Sequence, residues 1–343
     1  MFGAQMLQAE EFRILDNMRI TQLYLYPIKA LRPASITSAQ IDQQGFKNDR
    51  RFMLVKVESD GSFKNVQTIY FPECTRLFQE IDGDEVVVTY HAPMVPLIPE
   101  TAEQNTALRI PLRPDTTGLD PIGIELMGSK ATAYRMGHEY NSWFSSCLGY
   151  ETNLVYLGDG KRPVLAHAPG ESQAEGWLST ISSYVTGRAD EPDWISFNEA
   201  APLLVVSEAS LGDVSARLPG DQEMDMKRFR PNIVVDGTDK WDEDFWGELL
   251  VGGKHRLALT ANCGRCMSIN IDYETGRQAD GEAGAMLKKL MADRRVDTGS
   301  KWSPVFGRYA FPLARHSEVS VGDDVAVTKR IDQRDVWRWP KYK

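Results

Sequence analysis

The chain has 343 residues, 42% of them hydrophobic and 25% charged, with a formal net charge of −9. That length implies two domains or one large composite domain, and the composition requires no long disordered arm. The acidic balance excludes a general nucleic-acid binder, which needs a basic face, and leaves room for one local phosphate pocket.

The first residues carry acid (Glu10, Glu11, Asp16) where a secretory or mitochondrial presequence avoids it. Residues 20–26 alternate like a strand that stops at Pro27, with Lys29 in the following turn. Residues 35–41, 51–57, 86–90 and 122–126 read as further strands, separated by glycine- and aspartate-bearing turns. Many short strands over residues 19–130 predict a β-barrel or sandwich. Residues 140–148 have helical spacing, with Cys147 as a small hydrophobe on the buried face. A strand over 154–157 precedes a stretch rich in Gly, Pro and Ser, residues 158–192, which reads as a long surface loop.

From Phe197 the texture changes. Residues 202–206 form an apolar strand, and Ser207 caps a helix expected over 208–218. Residues 233–235, 256–260, 309–311 and 324–328 read as strands, 241–250 as a short acidic helix or turn, and 283–293 as a helix. This half is mixed α and β with a largely antiparallel sheet rather than an alternating nucleotide-binding fold.

Four cysteines (Cys74, Cys147, Cys263, Cys266) are too few and scattered for a disulfide scaffold, so the chain reads as reduced and cytoplasmic. No apolar run reaches the roughly 18 to 20 residues of an integral membrane segment. The glycine-rich nucleotide motifs and His-Glu-Xaa-Xaa-His are absent, and the five histidines are spread singly. Chemistry therefore concentrates on Cys263-Gly264-Arg265-Cys266. Such a pair fits a redox dithiol, half a zinc site or two core cysteines; no second pair completes a zinc site. Residues 267–271, which follow it, alternate like a strand rather than opening a helix. Arg230 precedes Pro231, which biases it to an extended backbone with Asn232 on the same face, a pairing suited to an anionic ligand. Lys29, Arg50 and Arg51 are further candidate phosphate or pterin contacts.

Six motifs in order resemble the MOSC proteins, named for the molybdenum cofactor sulfurase C-terminal domain. They are Tyr26-Pro27-Ile28-Lys29, Asp49-Arg50-Arg51-Phe52, Ser207-Glu208-Ala209-Ser210-Leu211, Phe229-Arg230-Pro231-Asn232, Asn262-Cys263-Gly264-Arg265-Cys266 and Ser303-Pro304-Val305-Phe306-Gly307. The resemblance spans about residues 19–329 and is strongest to the amidoxime-reducing molybdoenzymes. It implies a β-rich α+β chain: an N-terminal β-barrel domain over 19–135, a connecting helix and loop over 136–196, and a largely antiparallel MOSC β-barrel domain with peripheral helices over 197–330. By the same resemblance Cys266 is the molybdenum ligand, and Lys29, Arg51, Glu199, Arg230 and Asn232 contact the molybdenum cofactor, a molybdopterin. A thiolate is a soft donor suited to such a metal. Cys263 is then structural or a neighbour of the ligand. Ala30, Ala200 and Ala201 stand where the reductases carry hydroxyl residues, each a lost hydrogen bond of about 1 kcal/mol if buried.

The implied reaction is the two-electron reduction of a small N-hydroxylated or N-oxide compound. Electrons would come from an external donor such as a cytochrome b5-like protein and its reductase. Two rival readings follow from the same resemblance: a molybdenum cofactor sulfurtransferase and a cofactor carrier without turnover. The pyridoxal-phosphate domain of the full-length sulfurases is not expected before Thr21. The mammalian reductases have a membrane-targeting leader that this N-terminus lacks, so the cytoplasmic expectation stands beside a mitochondrial association.

Overall fold

The computed structural model describes residues 18–169, 194–314 and 316–338; the expected leader and most of the expected 158–192 loop lie outside them. The largest sheet has eight strands, in the order Ala34–Ile36, Arg19–Leu25, Ile233–Asp236, Leu203–Ser207, Val305–Pro312, His255–Gly264, Trp246–Val251 and Val325–Arg330. Within it Leu203–Ser207 and Ile233–Asp236 run parallel, and every other neighbouring pair is antiparallel. The strand Arg19–Leu25 is thus built into the same sheet as the C-terminal half.

Strands buried on both faces read as unbroken apolar runs. Leu203, Val205, Ile233 and Val235 pack into one core, while Leu204, Val206 and Val234 pack into another on the opposite face. The parallel pair needs a crossover, which contains the helix Glu208–Ser215. Its Ser207 Oγ accepts the Ser210 amide at 3.0 Å, the expected cap. The helix ends three residues before the expected limit because Pro219 disfavours a helical Leu218.

The N-terminal half closes a nearly complete barrel. A five-stranded sheet (Pro121–Leu126, Ser129–Arg135, Thr152–Tyr156, Phe52–Val57, Phe63–Asn65) faces a three-stranded one (Leu77–Asp82, Glu85–Tyr90, Ala107–Pro111). Phe52, Leu54, Leu77, Val86, Ile110 and Leu154 fill the space between them. Trp143, Phe144, Cys147 and Leu148 of the helix His138–Leu148 join this core. Each fully buried large apolar side chain stabilises it by roughly 1.5–3 kcal/mol. The β-rich α+β fold is as expected, with three short helices among the described residues.

Two local expectations fail. Residues 241–250 are not a helix: Asp242–Phe245 makes one 3-10 turn and Trp246–Val251 is a sheet strand. Register shifts against Val325–Arg330, between Trp246 and Glu248 and again at Leu249, interrupt the two-residue alternation that marks a strand. Met267–Asn270 is a 3-10 helix, not a strand. There Asn270 is buried and its Oδ1 accepts the Leu287 amide at 2.9 Å, so a tertiary contact overrides the alternating pattern.

Candidate functional site

Both halves contribute to one cavity of about 400 Å³. Seven non-glycine described residues have positive φ, and four of them, Ala30, Arg50, Met127 and Arg230, line this cavity. A left-handed L-residue costs about 1 kcal/mol, and such strain collects at functional sites. Arg230 is therefore not extended. It terminates the 3-10 turn Met226–Phe229 at φ 57° and ψ 42°, its amide held by the Lys227 carbonyl, so the turn's geometry outweighs the preference set by Pro231.

Two cavity guanidiniums approach one buried ring. The Arg50 and Arg230 guanidinium carbons lie 4.4 and 4.5 Å from the Tyr26 ring centre. Arg50 is neutralised by Asp49, and Asn232 Oδ1 and the Arg230 carbonyl lie at 3.4 Å from it. Arg230 donates to the Leu31 carbonyl at 3.0 Å and to the Ala30 carbonyl at 3.3 Å, but its second terminal nitrogen is buried without a partner.

Cys263 and Cys266 differ sharply. Cys263 is buried at the end of the strand His255–Gly264, where Arg265 donates to its sulfur at 2.9 Å. Arg265 also donates to the Phe229 carbonyl at 2.7 Å, and its Nε is buried and unpartnered. Cys266 is exposed in the cavity, with the Ser268 hydroxyl 3.2 Å from its sulfur. The Tyr309 phenol, driven well above its usual range by burial and by Cys263, keeps its proton.

Lys29 pairs with Glu199 across the cavity. Burial draws the Lys29 ammonium down to about 8 against the opposing pull of Glu199. Burial also opposes ionisation of Glu199, but Lys29 outweighs it and holds the carboxyl below its usual range. Glu199 is enclosed by the cleft yet leaves 47% of its side chain accessible, so solvent screens the pair.

Cys266, Lys29, Glu199 and Arg230 therefore meet in the cavity. Arg51 and Asn232 do not line it. Arg51 bonds the Gly158 carbonyl and lies 5.8 Å from the Trp194 ring; Arg50, one residue earlier, faces the cavity instead. Arg50 is left-handed at φ 50°, so the backbone turns between the two side chains and sends them to different sides. Asn232 is buried behind the wall, bonding the Leu204 amide at 3.2 Å and the Tyr24 carbonyl and Asp49 at 3.3 Å. Ala30 and Ala200 line the cavity and Ala201 does not. Arg265 was visible within the cysteine motif but carried no assigned role. Trp337 lies beyond the expected end of the second domain, and its amide bonds Asp297 at 2.9 Å.

These residues suit a large anionic ligand. Among the described residues no carboxylate pairs with Arg230 or Arg265, and each guanidinium has a buried nitrogen without an acceptor. A phosphate ester would satisfy both. Among the described residues no group of three or more His, Cys, Asp or Glu could hold a metal alone. A metal on Cys266 would thus take its other ligands from a non-protein group.

The description "MOSC N-terminal beta barrel domain" matches residues 17–151, and "MOSC domain" matches residues 192–326. The human protein named mitochondrial amidoxime-reducing component 1 is 26% identical over 91% of this chain and 84% of its own length. Human mitochondrial amidoxime reducing component 2 is 26% identical over 89% of this chain and 82% of its own. Human molybdenum cofactor sulfurase is 24% identical over 89% of this chain but 32% of its own length. With both domain types in order, the chain belongs to the MOSC family.

Proposed function

We propose that this protein binds the molybdenum cofactor and reduces small N-hydroxylated or N-oxide compounds with electrons from an external donor. The observation that carries the reading is the open Cys266 thiol in one cavity with two guanidiniums, Arg230 and Arg265, that lack carboxylate partners. Similarity to the human amidoxime-reducing component 1 over 91% of this chain and 84% of that protein supports the reductase reading.

When bound, the cofactor supplies a metal that changes oxidation state by two electrons. Cys266 would hold that metal, and Arg230, Arg265 and Arg50 would hold the phosphate end. Lys29 and Glu199 would bond the polar edge of the pterin. Asn232 and Asp49 keep Arg50 aimed into the cavity, and Arg51 braces the chain at Gly158. In the overall reaction the N–O bond breaks, two electrons and two protons are taken up, and the oxygen leaves as water. A one-electron haem protein served by a flavin reductase fits as donor.

The test is metal analysis and turnover of the protein produced with its cofactor. The parent should retain molybdenum through gel filtration and reduce benzamidoxime with reduced methyl viologen, whereas Cys266→Ala should lose nine-tenths or more of both, on the order of the loss expected when a sole protein ligand is removed. Equal molybdenum in parent and variant would end the ligand assignment. Retained molybdenum without reduction, in a protein that activates a sulfur-dependent hydroxylase, would favour the sulfurtransferase.

A further inference from the structure

One part of the cavity lining comes from the N-terminal half and carries no charge. Residues 67–70 and Met127 supply it. Tyr70 is 62% exposed although its neighbours Val66 and Phe71 are buried. Its amide bonds the Gln67 carbonyl at 2.9 Å, as does that of Phe71, so a closed turn sets Tyr70 at the cavity, with the Lys64 ammonium 5.5 Å from its ring centre.

Met127 is placed still more deliberately. It opens the two-residue loop between Pro121–Leu126 and Ser129–Arg135, where Leu126 pairs with Ser129. Met127 has φ 53° and Gly128 φ 79°, the signs of a type I′ turn. The first position of that turn ordinarily takes Asn, Asp or Gly. A long thioether there opposes the turn's own preference, and it is 43% exposed at the cavity. An aromatic ring and a polarizable sulfur side chain together suit the face of another flat ring.

We propose that Tyr70 and Met127 form a specificity subsite that receives the planar, apolar aryl group of the N-hydroxylated substrate. The proposal rests on the reductase reading and names the substrate class within it. A protein electron donor is the rival occupant of this rim. Tyr70 and Met127 both line the cavity itself, which favours the small substrate.

The test uses the molybdenum-loaded protein with reduced methyl viologen, a small donor that needs no docking face. Tyr70→Ser, Met127→Asn and the double variant are compared on benzamidoxime and acetamidoxime. Met127→Asn installs the residue that the turn prefers, so its melting temperature should not fall, and loss of fold cannot mimic the result. The double variant should lower the benzamidoxime-to-acetamidoxime ratio of kcat/KM about ten-fold or more, mainly through KM. Molybdenum content should stay at the parent level. Independently of turnover, ligand-observed saturation-transfer NMR should show benzamidine bound to the parent and the signal lost in the double variant.

An unchanged ratio, or retained benzamidine contact, overturns the subsite. An unchanged ratio with viologen joined to a rate lost only with a haem-protein donor assigns the rim to docking instead. Failure of the parent to reduce any N-hydroxylated compound overturns the reductase reading itself, and the subsite with it.

Discussion

Two groups of buried or half-buried arginines, one around Asp244 and one at the cavity, are neutralised differently. Around Asp244, Arg294 donates to both carboxylate oxygens at 2.8 and 3.0 Å, and Arg334 to one at 2.7 Å. Arg308 reaches the Asp244 carbonyl at 3.1 Å and pairs with Asp335. At the cavity, Arg230 and Arg265 meet carbonyls, a phenol and a thiol, with no carboxylate among the described residues. Each guanidinium of the first group has a carboxylate partner within the chain, although Arg308 Nε is itself buried without an acceptor. The second has no carboxylate among the described residues, so under the proposed function an anion would supply the missing charge there.

The sharpest way to break this contrast is Asp244→Ala. It leaves buried guanidiniums uncompensated and should cost about 3–5 kcal/mol, read as a large drop in the urea midpoint. Next comes Glu243, fully buried beside Asp244, whose Oε1 has no partner. Burial pushes its carboxyl up to about 7 from 4.5, against hydrogen bonding from Ser210. The folded state then binds more protons than the unfolded state between those values. Stability should fall as pH rises from 4.5 towards 7 and level off above it. Glu243→Gln should flatten that slope and gain about 2 kcal/mol at pH 8, measured by urea unfolding at pH 5 and pH 8. The smallest effect on stability belongs to Arg230→Met. It removes a cation without a carboxylate partner and should change the ligand-free protein by no more than about 1 kcal/mol, while molybdenum retained through gel filtration falls about ten-fold. A loss as large as that of Asp244→Ala would erase the distinction between the two groups.

Much of the fold was legible because its strands are either alternating or apolar throughout, as residues 203–207 and 52–57 are. The strand Trp246–Val251 was not, since its register shifts disguise its period. The 3-10 helix Met267–Asn270 was misread because a contact with Leu287, distant in sequence, sets its backbone. At the site, motif order pointed to Cys266, Lys29, Glu199 and Arg230, all of which line the cavity. The choice of Arg51 over Arg50 failed on a one-residue question of facing that only the backbone answers. Arg50 itself has φ 50°, which no local composition signals. Trp337 was beyond reach, because it arrives through an irregular segment after the last strand.

The pairing of Arg19–Leu25 with Ile233–Asp236 has a consequence for the order of events during synthesis. Ile20 and Val235 are partners in the sheet, so an early strand waits for more than two hundred residues before it can pair. Contacts of such range close late and slowly. Lys29 and Arg50 emerge early, whereas Cys266, Asp297 and Trp337 complete the same cavity last. A nascent chain therefore offers no finished anion pocket. A ligand that needs the whole cavity finds it only after residue 337 has left the ribosome.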